Sequence, residues 1–197
     1  MYRKHGFTLV EILFVVLIAA GVLAFAVPAY KRTQERSTYN AALGALLDFS
    51  NAVNSLKKDI ELVTGTSFEL IDSNETFKWD LTSKGTEPQN VPDRLQTWIA
   101  NLPKGDSVRK KGFTWALVKF GYFKPLQNGN AISTKYNFYV LNGNPTSGDC
   151  KLDSVPAGKI PVACMYLKST QDKTGCYVGA IVYNDGTVQR EKGSKCK

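Results

Sequence analysis

Four cysteines, one histidine and a few acidic residues are what this 197-residue chain offers for chemistry. Cys150, Cys164, Cys176 and Cys196 all fall in its last quarter. An even set of this kind suits disulfides in an oxidising compartment. None belongs to a Cys-x-x-Cys pair, and the lone His5 is far away in the chain, so no zinc site is expected. One histidine also excludes multi-histidine metal centres and argues against a histidine-based triad. Residues 143–148 have the glycine spacing of a phosphate loop. Asp149 and Cys150 stand where Lys and Ser/Thr would neutralise the phosphate. Ser55 to Lys58 and Lys173 to Gly175 echo penicillin-binding motifs, but the middle motif is missing and the chain is too short. Asp149, Asp153 and Asp172 lack the dense Asp/Asn ladder of a calcium loop. The expectation is a protein that is not an enzyme and holds no cofactor or metal.

Composition points elsewhere. Lys and Arg number 25 against 17 Asp and Glu, a net charge of +8, and 43% of residues are hydrophobic. The charge alone fits nucleic acid, anionic lipid or simple solubility. The apolar residues are unevenly spread. Ile12 to Ala29 contains no charged residue, and basic residues stand on both sides, at Arg3, Lys4, Lys31 and Arg32. As a helix this run would be about 27 Å long, close to the hydrocarbon thickness of a bilayer. A cleaved secretory signal would end its apolar core sooner. A plain membrane anchor accounts for the length and flanks, but not for Gly6 or Glu11.

Those two residues belong to a pattern. A short basic leader ends in Gly6, Phe7-Thr8-Leu9-Val10-Glu11 follows, and a long apolar helix comes next. The arrangement resembles the class III signal of the type IV pilins and pseudopilins. The resemblance covers residues 3 to about 30 and, more loosely, 39–60. It implies cleavage by prepilin peptidase between Gly6 and Phe7, and N-methylation of Phe7. It implies a role for Glu11 in assembly and subunit register, and helix-loosening or kinking positions at Gly21 and Pro28. It implies a pilin-like α+β fold, with a long N-terminal helix packed on a small antiparallel β-sheet head.

The residues support part of this independently. A carboxylate at the edge of a membrane helix is costly and needs a partner. No Lys or Arg lies within a turn of Glu11 beyond Gly6, so the nearest positive group would be the α-amine of Phe7, on the same chain or a neighbour. Pairing between chains would set register as a buried polar residue does in a coiled coil. A simpler role for Glu11 is to complement the helix dipole near its N-terminus. Pro28 removes a backbone hydrogen bond. Ala19, Ala20, Gly21 and Ala24 form a small-residue stripe that lets helices approach.

Beyond the apolar run, Tyr39, Ala42, Leu46, Phe49, Val53, Leu56 and Ile60 recur at spacings of three and four. That predicts one continuous helix over 7–58, apolar all round at first and one-sided later. Five segments follow: a leader at 1–6, a membrane and polymerisation helix at 7–30, its amphipathic continuation at 31–60, a variable loop region at 61–112 and a sheet at 113–197. A short helix is predicted over 94–102. The basic run 104–111 reads as a solvated loop, with nucleic-acid contact a minor reading. Strands are predicted over 113–120, 135–141, 160–167 and 175–183, with Asn184-Asp185-Gly186 as the turn into a return strand at 187–189. If Asp185-Gly186 is a two-residue loop, Asn184 faces Thr187 and position 176 faces 195. Of three connectivities, that favours Cys176–Cys196 and leaves Cys150–Cys164. Pilins close a C-terminal surface loop with a disulfide in the same location.

The resemblance then implies a function: a structural subunit of a type IV pilus serving adhesion, motility or DNA uptake. Its partners would be copies of itself, other pilins, prepilin peptidase and an inner-membrane assembly platform. The precursor would cross the inner membrane once with its N-terminus in the cytoplasm, and the mature subunit would join an extracellular pilus or a periplasmic pseudopilus. The alternative is a pseudopilin of a type II secretion or competence system. A membrane-anchored periplasmic binding domain is the third reading, and Gly6 and Glu11 argue against it.

Overall fold

A computed structural model describes residues 8–89, 94–146, 150–168 and 177–192. The architecture is α+β, a long N-terminal helix and a small antiparallel five-stranded sheet. The chain divides after Ser37 into two units. Helix α1 (Leu9–Thr64) runs for 56 residues with Pro28 inside it. It is longer than predicted because no breaker occurs between Lys58 and Gly65, where φ is +69°. There the Gly65 N–H donates to the Glu61 carbonyl at 2.8 Å, a glycine-closed helix end.

In the second unit, α1 buries Tyr39, Leu46, Phe49, Val53, Leu56 and Ile60. These belong to the main core, together with inward residues of the sheet. The sheet order is β1 (Thr76–Trp79), β2 (Tyr136–Leu141), β3 (Pro161–Leu167), β4 (Tyr177–Tyr183), β5 (Val188–Lys192), with every neighbouring pair antiparallel. Period-two alternation sorts the side chains. Tyr136, Phe138, Val140, Ala163, Met165, Ala180 and Val182 join the core on the α1 side. Leu141, Cys164, Ile181 and Tyr183 form a second cluster with Cys150 and Leu152. Phe49 meets Trp79 at 5.0 Å and Phe123 at 5.7 Å between ring centroids, and the Tyr39 hydroxyl donates to the Gly179 carbonyl at 3.1 Å.

Between β1 and β2 the chain forms α2 (Leu95–Asn101), α3 (Ser107–Lys119) and α4 (Ala131–Lys135). Helix α2 falls within the predicted short helix, whereas α3 corrects the strand predicted over 113–120. The Asp106 carboxylate caps α3, accepting from the N–H groups of Val108 at 2.7 Å and Arg109 at 3.3 Å. Phe113, Ala116 and Leu117 are then buried at helical spacing, which outweighs their β-branched and aromatic neighbours. The segment boundary placed at 112/113 therefore falls inside a helix. Gly112 is needed there because a Cβ would come within 2.7 Å of the Trp98 ring on α2. The predicted loop region 61–112 also contains β1, so the sheet begins earlier than 113.

Nor is the run 104–111 simply a solvated loop. Arg109 is only 4% exposed. Its guanidinium donates to the carbonyls of Leu102, Glu69 and Ala100 and sits 4.3 Å over the Phe68 ring, which stacks on Phe113. Burial lowers its pKa from the ordinary value, against the raising pull of Glu69 and Asp72.

The β4–β5 hairpin also differs by one position. Ile181 pairs with Gln189 and Val182 with Val188, and the Tyr183 N–H donates to the Thr187 carbonyl at 3.0 Å. Tyr183, not Asn184, therefore faces Thr187. The loop has three residues ending in Gly186 at φ +79°, the left-handed position of a three-residue hairpin. A further register shift separates Tyr177 from Gly179. The register that pointed to Cys176–Cys196 is thus displaced, and both of those cysteines lie outside the described residues.

Candidate functional site

The candidate site is the first unit's part of α1. Thr8 is the residue before the helix, and Glu11 is its third helical residue. Thr8 donates to one Glu11 carboxylate oxygen twice, through its backbone N–H and its hydroxyl, both at 2.8 Å. The Glu11 N–H donates back to the Thr8 hydroxyl at 3.3 Å. This reciprocal Thr-x-x-Glu arrangement is a capping box, which satisfies N–H groups that a helix start leaves unpaired. From the sequence, Glu11 is expected to meet an α-amine or to complement the helix dipole. Its neighbour Thr8 was the missed partner, although the Thr-x-x-Glu spacing ahead of an apolar run was the available signal.

From position 8 to 34 every residue is exposed. Fourteen large apolar side chains lie between Leu9 and Tyr30, among them Phe14 at 63%, Leu17 at 65% and Phe25 at 83% exposure. Removing each from water is worth about 1.5–3 kcal/mol, on the order of 20–40 kcal/mol together. Contiguous exposed apolar surface on this scale is uncommon on soluble monomers. Helix α1 is long and apolar enough to cross a membrane.

Gly21 lies on this segment, and among the described residues nothing lies within 4 Å of where its Cβ would be. Pro28 lies in the same stretch of unbroken helix. One turn later the Thr33 hydroxyl donates to the Ala29 carbonyl at 3.1 Å. Gly6 and Phe7 lie outside the described residues, as do Asp149 and Asp172. Cys150 and Cys164 form a disulfide with Cα atoms 6.1 Å apart, in the second unit. Among the described residues no group of three or more His, Cys, Asp or Glu could hold a metal ion.

No family model matches the chain, and neither curated proteins nor solved structures yield a match. The functional reading therefore rests on the residues themselves.

Proposed function

We propose that this chain is a structural, non-enzymatic subunit of a type IV pilus, polymerised through its N-terminal helix. The observation that carries the reading is the exposed apolar stretch of α1 with a carboxylate at its mouth. The leader would be removed between Gly6 and Phe7 by prepilin peptidase, and Phe7 would be N-methylated. The precursor would rest in the inner membrane with residues 1–6 in the cytoplasm, as the basic Arg3 and Lys4 favour. Assembly would move residues 7–30 from lipid into contact with neighbouring helices, so that the apolar surface never meets water. Subunits related by a repeated head-to-tail contact that does not close make a helical fibre.

In lipid, the capping box with Thr8 would keep the Glu11 carboxylate hydrogen-bonded. In the fibre, the same carboxylate would face the α-amine of a neighbour's Phe7, which fixes the axial step. Electron microscopy of the sheared cell-surface fraction tests this. Filaments containing this chain are expected, and they should disappear in Glu11→Ala while the Gly6–Phe7 bond is still cut. Filaments that persist unchanged in Glu11→Ala would remove the register role. An uncut chain that never leaves the membrane would overturn the pilus reading in favour of a simple anchor. Short fibres confined to the periplasm would move it to a secretion or competence pseudopilus.

A further inference from the structure

On the side of the sheet away from α1, the two ends differ. The segment containing Cys150 and Leu152 packs over Leu141, Cys164, Ile181 and Tyr183. Near the other end, strand alternation turns three polar side chains to this same side. Trp79, Phe138 and Leu167 belong to the core on the α1 side, so Lys78, Asn137 and Lys168 point the opposite way. The same three line a groove of about 720 Å³ together with Asp80, Thr82 and Asn128, and with core residues of β1 and β2 such as Trp79 and Phe138. Its size lies within the range of small-ligand sites.

The side chains of Lys78, Asn128, Asn137 and Lys168 make no hydrogen bond or ion pair with another described residue. One Asp80 carboxylate oxygen accepts from the Thr82 N–H at 2.9 Å and the Thr82 hydroxyl at 2.7 Å, which fixes its orientation. By strand spacing and rise, the backbones of Lys78 and Lys168 stand about 17 Å apart, with Asn137 between them. A ligand reaching both ammonium groups is therefore extended.

We propose that this groove binds an acidic oligosaccharide, a short chain of carboxylate-bearing sugars. The two ammonium groups would take sugar carboxylates at either end. The Asn128 and Asn137 amides would donate to and accept from ring hydroxyls. Asp80 decides between polyanions. An ionised carboxylate is acceptor-only and repels sugar carboxylates and phosphates alike, but a sugar hydroxyl can donate to it and a chain of phosphates carries no such donor. The proposal is independent of the filament reading.

Calorimetric titration of the full chain in detergent micelles tests it. The probes are a trisaccharide of galacturonic acid, a neutral trisaccharide of galactose, and tripolyphosphate. The galacturonate should bind saturably and more weakly as salt rises. Lys78→Gln and Lys168→Gln should each weaken it about three- to fivefold, the scale of one exposed charge contact. Asn137→Ala should weaken the acidic and neutral sugars alike, and unchanged thermal midpoints should show that each variant is folded. Equal binding of the neutral sugar, tighter binding of tripolyphosphate, or no saturable binding of any probe would overturn the proposal. So would an equal loss in Lys111→Gln, on α3 and outside the groove lining.

Discussion

Between residues 8 and 34, α1 leaves every side chain exposed, whereas from Tyr39 to Ile60 the same helix buries ten. Backbone hydrogen bonding is helical in both stretches, so the contrast lies in the side chains. In the first stretch, leucines, valines and phenylalanines occur all round and stay exposed among the described residues. In the second they form one stripe matched to a sheet. Secondary structure and stability are thus separable along one helix. The second stretch gains its stability from packing inside this chain, while the first shows no such packing among the described residues.

The sharpest test sets one substitution in each stretch side by side. Phe49→Ala removes a fully buried ring that touches Trp79 and Phe123, and should cost about 3–5 kcal/mol in denaturant unfolding. Leu17→Ala, at a 65% exposed position, should leave the same midpoint unmoved. Equal effects from the two would break the comparison.

Next in size is Arg109. Arg109→Met keeps much of the volume but removes the hydrogen bonds to three carbonyls, and should cost about 2–4 kcal/mol. Arg109→Lys should restore only part of this, because an ammonium lacks the planar fork. A near-neutral Arg109→Met would mean that this basic residue is as dispensable as a solvated one. The Cys150–Cys164 bridge, with a sequence separation of 14, should contribute about 3 kcal/mol. The Cys150→Ser/Cys164→Ser double variant should show that loss in the second unit, with no change in the helicity of residues 9–34.

The smallest expected effect is at Tyr122, whose hydroxyl donates to the Asp59 carboxylate on α1. That bond raises the phenol to a pKa of about 12, with burial adding to the effect. Tyr122→Phe should cost about 1 kcal/mol at neutral pH. A raised phenol pKa stabilises the fold below the ordinary value and loses that contribution as pH climbs through the folded value. The gap between wild type and Tyr122→Phe should therefore narrow from about pH 10 to pH 12. A gap that stays constant over that window would show that the phenol is not linked to Asp59.

Much of this was legible in residue order. The long helix, its change from all-round to one-sided apolar character, and strands β2 to β5 follow from periodicities that neighbouring residues set by themselves. The helical state of 113–117, the strand at Thr76–Trp79 and the burial of Arg109 did not. Phe113, Ala116 and Leu117 suit a helix or a loosely alternating strand, and Asp106 capping together with the surface offered by α2 and Phe68 selects the helix. Four residues at 76–79 carry too short a pattern to announce a strand until β2 pairs with them.

For the candidate site the balance is similar. The apolar run, Glu11 and its Thr-x-x-Glu spacing are local, set by neighbouring residues alone. A groove bordered by Lys78, Asn137 and Lys168 joins residues up to 90 positions apart in the chain. Only strand pairing brings them to one side of a sheet, because a register of hydrogen bonds, not proximity in sequence, decides which side chains stand together.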